Sequence, residues 1–253
     1  MGMETLKQYT KTWLLDSAVR AATVASGVAI IITLIAVASF FRAKTLDNSI
    51  SVTGSARKSV VADTAKLSIT MRRTGTFSTL SSSYKSMSAN TEVVKAFIAK
   101  AGFTDADVSI TPPSADQIYD NTYRPAEERQ FDVRQYIEIR STDIPKIEAL
   151  SRSITNIEQP GLIIEVRPVE YMYTKLAEIR GDLFAEAIKD ARVRAEAIAS
   201  TSGGKVGKIK SAATGVVQVL TPQSVEVSDY GTVDTTSINK EVMVTARASF
   251  YIK

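Results

Sequence analysis

The chain opens on one apolar block and then alternates between two-residue and helical periodicity. Residues 21–41 read AATVASGVAIIITLIAVASFF, a run of 21 without a charge, bounded by Arg20 and Arg42. As a helix it would be about 32 Å long, matching a hydrocarbon core of about 30 Å. Ten of its residues are Val, Ile, Leu or Phe, enough to favour insertion before Ser, Thr and Gly subtract from it. A retained transmembrane helix is the favoured reading. A cleaved signal peptide, with Ala36-Val37-Ala38 as its small-residue site, and a buried helix of a soluble protein are the alternatives.

Downstream, Ile50 to Ala56 reads as a short strand. Val60 to Arg72 reads as a longer one, with Ala65, Leu67, Ile69 and Met71 on a dry face and Lys66, Ser68, Thr70 and Arg72 on a wet one. Helical spacing follows from Phe77 to Ala101, apolar at Leu80, Tyr84, Met87, Val94, Phe97, Ile98 and Ala101, with Gly102 placed for a left-handed cap. Strands are expected at Val108 to Ile118 and Phe131 to Arg140. A short helix should run from Asp143 to Ile154, with Asp143 as N-cap and Pro145 in its first turn.

A strand from Leu162 to Tyr173 then leads to a long helix from Leu176 to Ser200. Its expected buried stripe is Leu176, Ile179, Leu183, Ala187, Ile188, Ala191, Ala195 and Ile198. Strands close the chain at Val206 to Leu220 and Glu241 to Ile252. The fold class is α+β: an N-terminal transmembrane helix and an α/β domain that reads as two β-α-β-β repeats. Four segments result: residues 1–20, the membrane helix 21–41, a linker 42–48 and a folded domain 49–253.

Charge narrows the partners. Of 31 basic and 27 acidic residues, the first 42 positions hold four and two. The remaining charges are mixed along the chain, which is a poor footprint for nucleic acid. The chain has no cysteine and no histidine, which removes thiolate chemistry, Cys-based metal sites and the usual general base near neutral pH. No catalytic residue, cofactor or metal is expected. Carboxylates at Glu127-Glu128 and at Asp116 with Asp120 read as solvated loop charges, and Gly54-Ser55-Ala56-Arg57-Lys58-Ser59 lacks the spacing of a phosphate loop.

In the membrane segment, Ala21, Ala25, Ala29 and Thr33 form a small-residue stripe that suits close helix packing in lipid; a helix that is merely alanine-rich reads equally well. Lys7, Lys11 and Arg20 precede the span, Arg42 and Lys44 follow it, and the balance favours a cytoplasmic N-terminus. Residues 120–130 and 222–237 read as long loops, either functional or simply solvated. Tyr119, Tyr123 and Tyr230, with Tyr171 and Tyr173, suit a subunit contact; packing in the core or on a sheet face is the alternative.

Several phrases along the chain carry a family resemblance. The first is Ile50-Ser51-Val52-Thr53-Gly54-Ser55-Ala56, where Ala56 stands at a position usually glycine. The second is the alanine-rich helix Glu186-Ala187-Ile188-Lys189-Asp190-Ala191-Arg192-Val193-Arg194-Ala195-Glu196-Ala197-Ile198-Ala199, followed by Gly204-Lys205-Val206-Gly207. Val169 to Leu176 and Ile238-Asn239-Lys240-Glu241-Val242 are similar to a subgroup that keeps an N-terminal hydrophobic segment. Together these phrases resemble the SIMPL-domain family of bacterial envelope proteins, and the resemblance implies antiparallel sheets with long helices, an extracytoplasmic location and ring-like homo-oligomers, while it transfers no catalytic residue. The functional expectation is a non-enzymatic, membrane-anchored protein that assembles with itself into a ring or cage in the cell envelope, in a structural or stress-related role. A ligand- or partner-binding module displayed on the membrane is the alternative.

Overall fold

The computed structural model describes residues 23–40, 48–119, 123–224 and 230–253. In chain order the elements are helix α1 (Thr23–Phe40), strands β1 (Ser49–Val61) and β2 (Thr64–Thr76), helix α2 (Leu80–Lys100), strands β3 (Val108–Ile110), β4 (Ser114–Gln117) and β5 (Gln130–Ser141), and helix α3 (Ile144–Ser153). Strands β6 (Ile163–Val166) and β7 (Glu170–Met172), helix α4 (Leu176–Thr201) and strands β8 (Val206–Leu220) and β9 (Asn239–Ile252) complete the chain. The chain forms two compact units, a larger one of Thr53–Val193 with Ala212–Arg247 and a smaller one of Met1–Val52, Arg194–Ser211 and Ala248–Lys253.

In the larger unit, β2 and β5 pair antiparallel from Ala65↔Ser141 to Thr76↔Gln130. β3 and β4 pair along β5, and β6 and β7 along β2, giving a sheet ordered β3-β5-β2-β6. With α2 and α3 as the two connections, this is the β-α-β-β-α-β arrangement of a split βαβ fold. Each outer position holds two short strands where one was expected. Pro112-Pro113 separates β3 from β4 and Pro168 separates β6 from β7, because proline has no N–H to give a ladder.

One face of this sheet is the main core. Ala65, Leu67, Ile69 and Met71 of β2 and Val133, Ile137 and Ile139 of β5 pack with Met87, Val94 and Ile98 of α2 and Ile147 and Leu150 of α3. The dry face read from β2 is therefore the core face, and Val133, Ile137 and Ile139 of β5 share it. Gln135 occupies that face too, accepting from the Thr91 hydroxyl at 2.6 Å and donating to the Thr111 carbonyl at 2.9 Å. Helix ends follow their signals: Asp143 Oδ1 accepts from the Lys146 N–H at 3.1 Å, and Gly102 takes φ +87° after α2.

A three-stranded sheet has the order β1-β9-β8. The chain does run β-α-β-β twice, but the two runs build unlike sheets, because β6 and β7, which lead into α4, belong to the first one. Within the larger unit, Ala56, Val219, Val242, Val244 and Ala246 pack with Ile179, Leu183 and Ala187 of α4. A side chain on Gly54 would meet the Ala187 carbonyl oxygen at 2.1 Å and the Ala191 nitrogen at 2.3 Å. Helix and strand backbones therefore touch there, and the Ser55 N–H donates to Asp190 Oδ2 at 2.8 Å.

In the smaller unit, Lys205 and Lys253 exchange two backbone hydrogen bonds, of 3.0 and 2.8 Å, and Gly203 turns the chain at φ +74°. Ala195, Ala199, Ala248 and Phe250 are buried. The expected place of Ile198 in the buried stripe is corrected: it is 52% exposed, while Ala199 is 3% exposed. The buried positions of α4 advance by fours through Ala187, Ala191, Ala195 and Ala199, and a four-residue step outruns the 3.6-residue turn, so the contact line winds away from Ile198.

Candidate functional site

The sheet face opposite α2 and α3 gathers most of the polar chemistry. On it the register places Thr70 between Tyr136 and Glu165, Arg72 beside Arg134, and Ser68 beside Glu138. Asp132 is buried under two guanidinium groups: its Oδ2 accepts from Arg72 Nη2 at 2.7 Å, Arg72 Nε at 3.0 Å and Arg134 Nε at 2.5 Å. Arg72 also reaches Glu165 at 2.5 Å. Burial alone would raise the Asp132 pKa, but the bonds from Arg72 and Arg134 outweigh it and hold the carboxyl below its ordinary range. Reciprocally, Asp132 and then Glu165 push the Arg72 pKa up.

Beside this network lies a shallow depression of about 370 Å3, lined by Ser68, Thr70, Thr111, Tyr136, Glu138 and Arg167 among others. A second hollow of about 210 Å3 shares Thr70, Tyr136 and Arg167 with it and reaches Arg72 and Glu165. Thr70 is only 7% exposed. Its hydroxyl forms no hydrogen bond among the described residues, nor does the exposed Arg167 guanidinium. Among the described residues no three acidic side chains converge as a metal ion would require.

A buried ion pair ties down the segment before β9. Lys240 is fully buried, and its ammonium donates to the Asp234 carbonyl at 2.6 Å and to Asp234 Oδ2 at 3.0 Å. Asp234 Oδ1 accepts from the Thr236 N–H at 2.9 Å and hydroxyl at 2.7 Å, and Oδ2 accepts from the Ser237 hydroxyl. Burial opposes ionisation, but these hydrogen bonds, Ser237 and Thr236 first and Lys240 after them, hold the Asp234 pKa far below the usual carboxylate range. The backbone is pinned as well: Val219 N–H to Thr232 O at 2.7 Å, Asp234 N–H to Val219 O at 2.8 Å and Tyr171 N–H to Thr235 O at 2.8 Å. Residues 232–237 of that expected loop are thus fastened rather than merely solvated.

The tyrosines divide. Tyr171 packs on the main core, donating to Glu148 Oε1 at 2.7 Å, and Tyr173 packs on the second cluster. Tyr119, Tyr123 and Tyr230 are 85%, 95% and 97% exposed. Tyr119 and Tyr123 line one open cleft with Arg124 and Arg129, and Tyr230 is not part of it.

Every apolar side chain of α1 faces outward, and the helix is long and apolar enough to cross a membrane. Ala25, Ala29 and Thr33 are exposed on it, and the Thr33 hydroxyl donates to the Ala29 carbonyl at 2.8 Å, which satisfies it without water. Ala21 and Asp120 lie outside the described residues, as does nearly all of the expected linker. Neither the Asp234–Lys240 pair nor the Thr70 depression is among the groups expected from the sequence. A signal for the first existed, since Lys240 falls in the same two-residue phase as the buried Val242, Val244 and Ala246.

No curated protein matches the chain. The model of one family, described as SIMPL, protein of unknown function (DUF541), matches residues 50–250. That match takes in β2 to β8 whole and nearly all of β1 and β9, so the chain belongs to the SIMPL family.

Proposed function

We propose that the protein is a non-enzymatic, membrane-anchored protein of the cell envelope whose folded domain stands outside the cytoplasm and assembles with further copies of itself into a ring or cage. The observation that carries the anchoring is α1, whose large apolar residues from Val24 to Phe40 are about half exposed or more. Lipid is the solvent that such a surface suits. Three basic residues ahead of the apolar segment and Arg42 and Lys44 after it favour a cytoplasmic N-terminus.

Self-association is supported by two features of the larger unit. Residues 212–216 of β8, Ala-Ala-Thr-Gly-Val, are all exposed on a strand at the edge of the three-stranded sheet. They carry no charge, proline or other device that would blunt an edge against strand pairing. Tyr119 and Tyr123 offer a nearly bare aromatic surface beside Arg124 and Arg129, a composition enriched at protein interfaces. Anchoring in one membrane raises the effective concentration of such contacts. A structural or stress-related role in the envelope follows from this reading, with no nucleic acid, metal or cofactor involved.

The test is the mass of the detergent-extracted chain by light scattering, with and without residues 1–42. An assembly that survives the truncation places the contacts in the domain. A monomer in both forms removes the ring.

A further inference from the structure

The depression on the open face of the β3-β5-β2-β6 sheet has the makings of a small-molecule site. Its centre is Thr70, in the cross-strand row Tyr136–Thr70–Glu165. Thr70 is more than nine-tenths buried and lines both hollows, yet its hydroxyl has no hydrogen-bond partner among the described residues. The residue is buried but its hydroxyl oxygen opens into the hollow, where it can donate to and accept from a ligand in place of water.

The neighbours set the chemistry of that partner. Lys66 pairs with Glu170, Arg72 with Asp132 and Glu165, Arg134 with Asp132, and Arg140 with Glu138. Arg167 alone among the cations of this face has neither an ion pair nor a side-chain hydrogen bond among the described residues. A guanidinium so placed suits a carboxylate, which it can hold through two parallel bonds. Glu138 and Glu165 at the rims accept hydrogen bonds from hydroxyl groups but repel an anion of higher charge such as phosphate. Tyr136, 44% exposed, offers a flat ring as a wall. The larger hollow, about 370 Å3, lies in the range of small-ligand pockets.

We infer that this face binds a small hydroxylated monocarboxylate with the size and chemistry of a sugar acid, its carboxylate on Arg167 and its hydroxyls on Thr70 and Glu138. The inference goes beyond the assembly reading and does not depend on it, since every residue lies within one copy.

The experiment is calorimetric titration of the full chain, extracted in a zwitterionic detergent because alkyl glycosides would compete. Sodium D-glucuronate is the probe, with D-glucose and inorganic phosphate as comparisons. Glucuronate should bind with a Kd of roughly 1 mM, at least about tenfold tighter than either comparison. Arg167→Gln should weaken it about tenfold and Thr70→Val about fivefold, while Thr70→Ser, which keeps the hydroxyl, restores it. Arg167 is on the surface, so its loss leaves the fold intact even if Thr70→Val does not. The inference is overturned by absence of glucuronate binding up to about 50 mM, by phosphate binding as tightly, or by an unchanged affinity in Arg167→Gln.

Discussion

Gly54→Ala should be among the most damaging single-methyl additions in this chain. The new Cβ would sit 2.1 Å from the Ala187 carbonyl oxygen, whereas ordinary contact begins at 3.4 Å. Strand and helix must therefore part by about 1.3 Å, the difference between those two distances. The atoms struck are main chain, so no rotamer change relieves the clash. Overpacking of this kind costs about 1–3 kcal/mol. The displacement also breaks the 2.8 Å bond from the Ser55 N–H to the Asp190 carboxylate, a charged-group bond worth about 1.5–3 kcal/mol. Together they predict a loss of about 3–5 kcal/mol, which for a domain of this size lowers Tm by roughly 6–20 °C. Thermal melting followed by far-ultraviolet circular dichroism of the detergent-extracted chain reads it directly. Ser55→Ala, which keeps the backbone donor, should melt within about 2 °C of the parent. Trimming Ala187 or Ala191 to glycine in the Gly54→Ala background should restore nothing. A Gly54→Ala protein that melts with the parent, or one rescued by those trims, would refute the backbone contact.

Two further outcomes follow from the Asp234–Lys240 pair. Lys240→Met leaves the Asp234 carboxylate buried without its countercharge and should cost about 3–5 kcal/mol, read as a lower urea midpoint with unchanged slope. Acid titration should show the same pair from the other side. The folded-state pKa of Asp234 lies below its unfolded value, so the unfolded chain binds the extra proton and stability rises with pH. Its contribution is fully present above the unfolded carboxylate range, about pH 4, and is lost as pH falls below it towards the folded value. Asp132, depressed in the same direction, adds to this limb, and melting points between pH 7 and pH 2 should fall less steeply in Asp234→Asn than in the parent.

What the sequence disclosed and what it withheld divide by the range of the interaction. Local signals held: Asp143 caps α3, Gly102 adopts the left-handed turn after α2, and Ala65, Leu67, Ile69 and Met71 of β2 lie in the core. Each depends on neighbours a few positions away. The partition of strands between two sheets was not legible, since β1 near the start of the domain joins β9 at its end, and periodicity says nothing about which strands pair. Lys240 is legible in principle, because it shares the two-residue phase of the buried Val242 and Val244. A lysine in the dry phase of a strand stays charged only with a dedicated partner, and that partner, Asp234, lies in what reads as loop. Thr70 is the inverse case. It lies in the wet phase of β2 as expected, yet Tyr136, Glu165 and Arg167 close around it only because three strands come into register. Alternation assigns a residue to a face, and only the pairing of that face with its neighbours decides whether it meets water or a pocket. A binding site built from single residues on separate strands therefore leaves almost no trace along the chain, while the scaffold that carries it can be read from Gly54 and the alanines of α4.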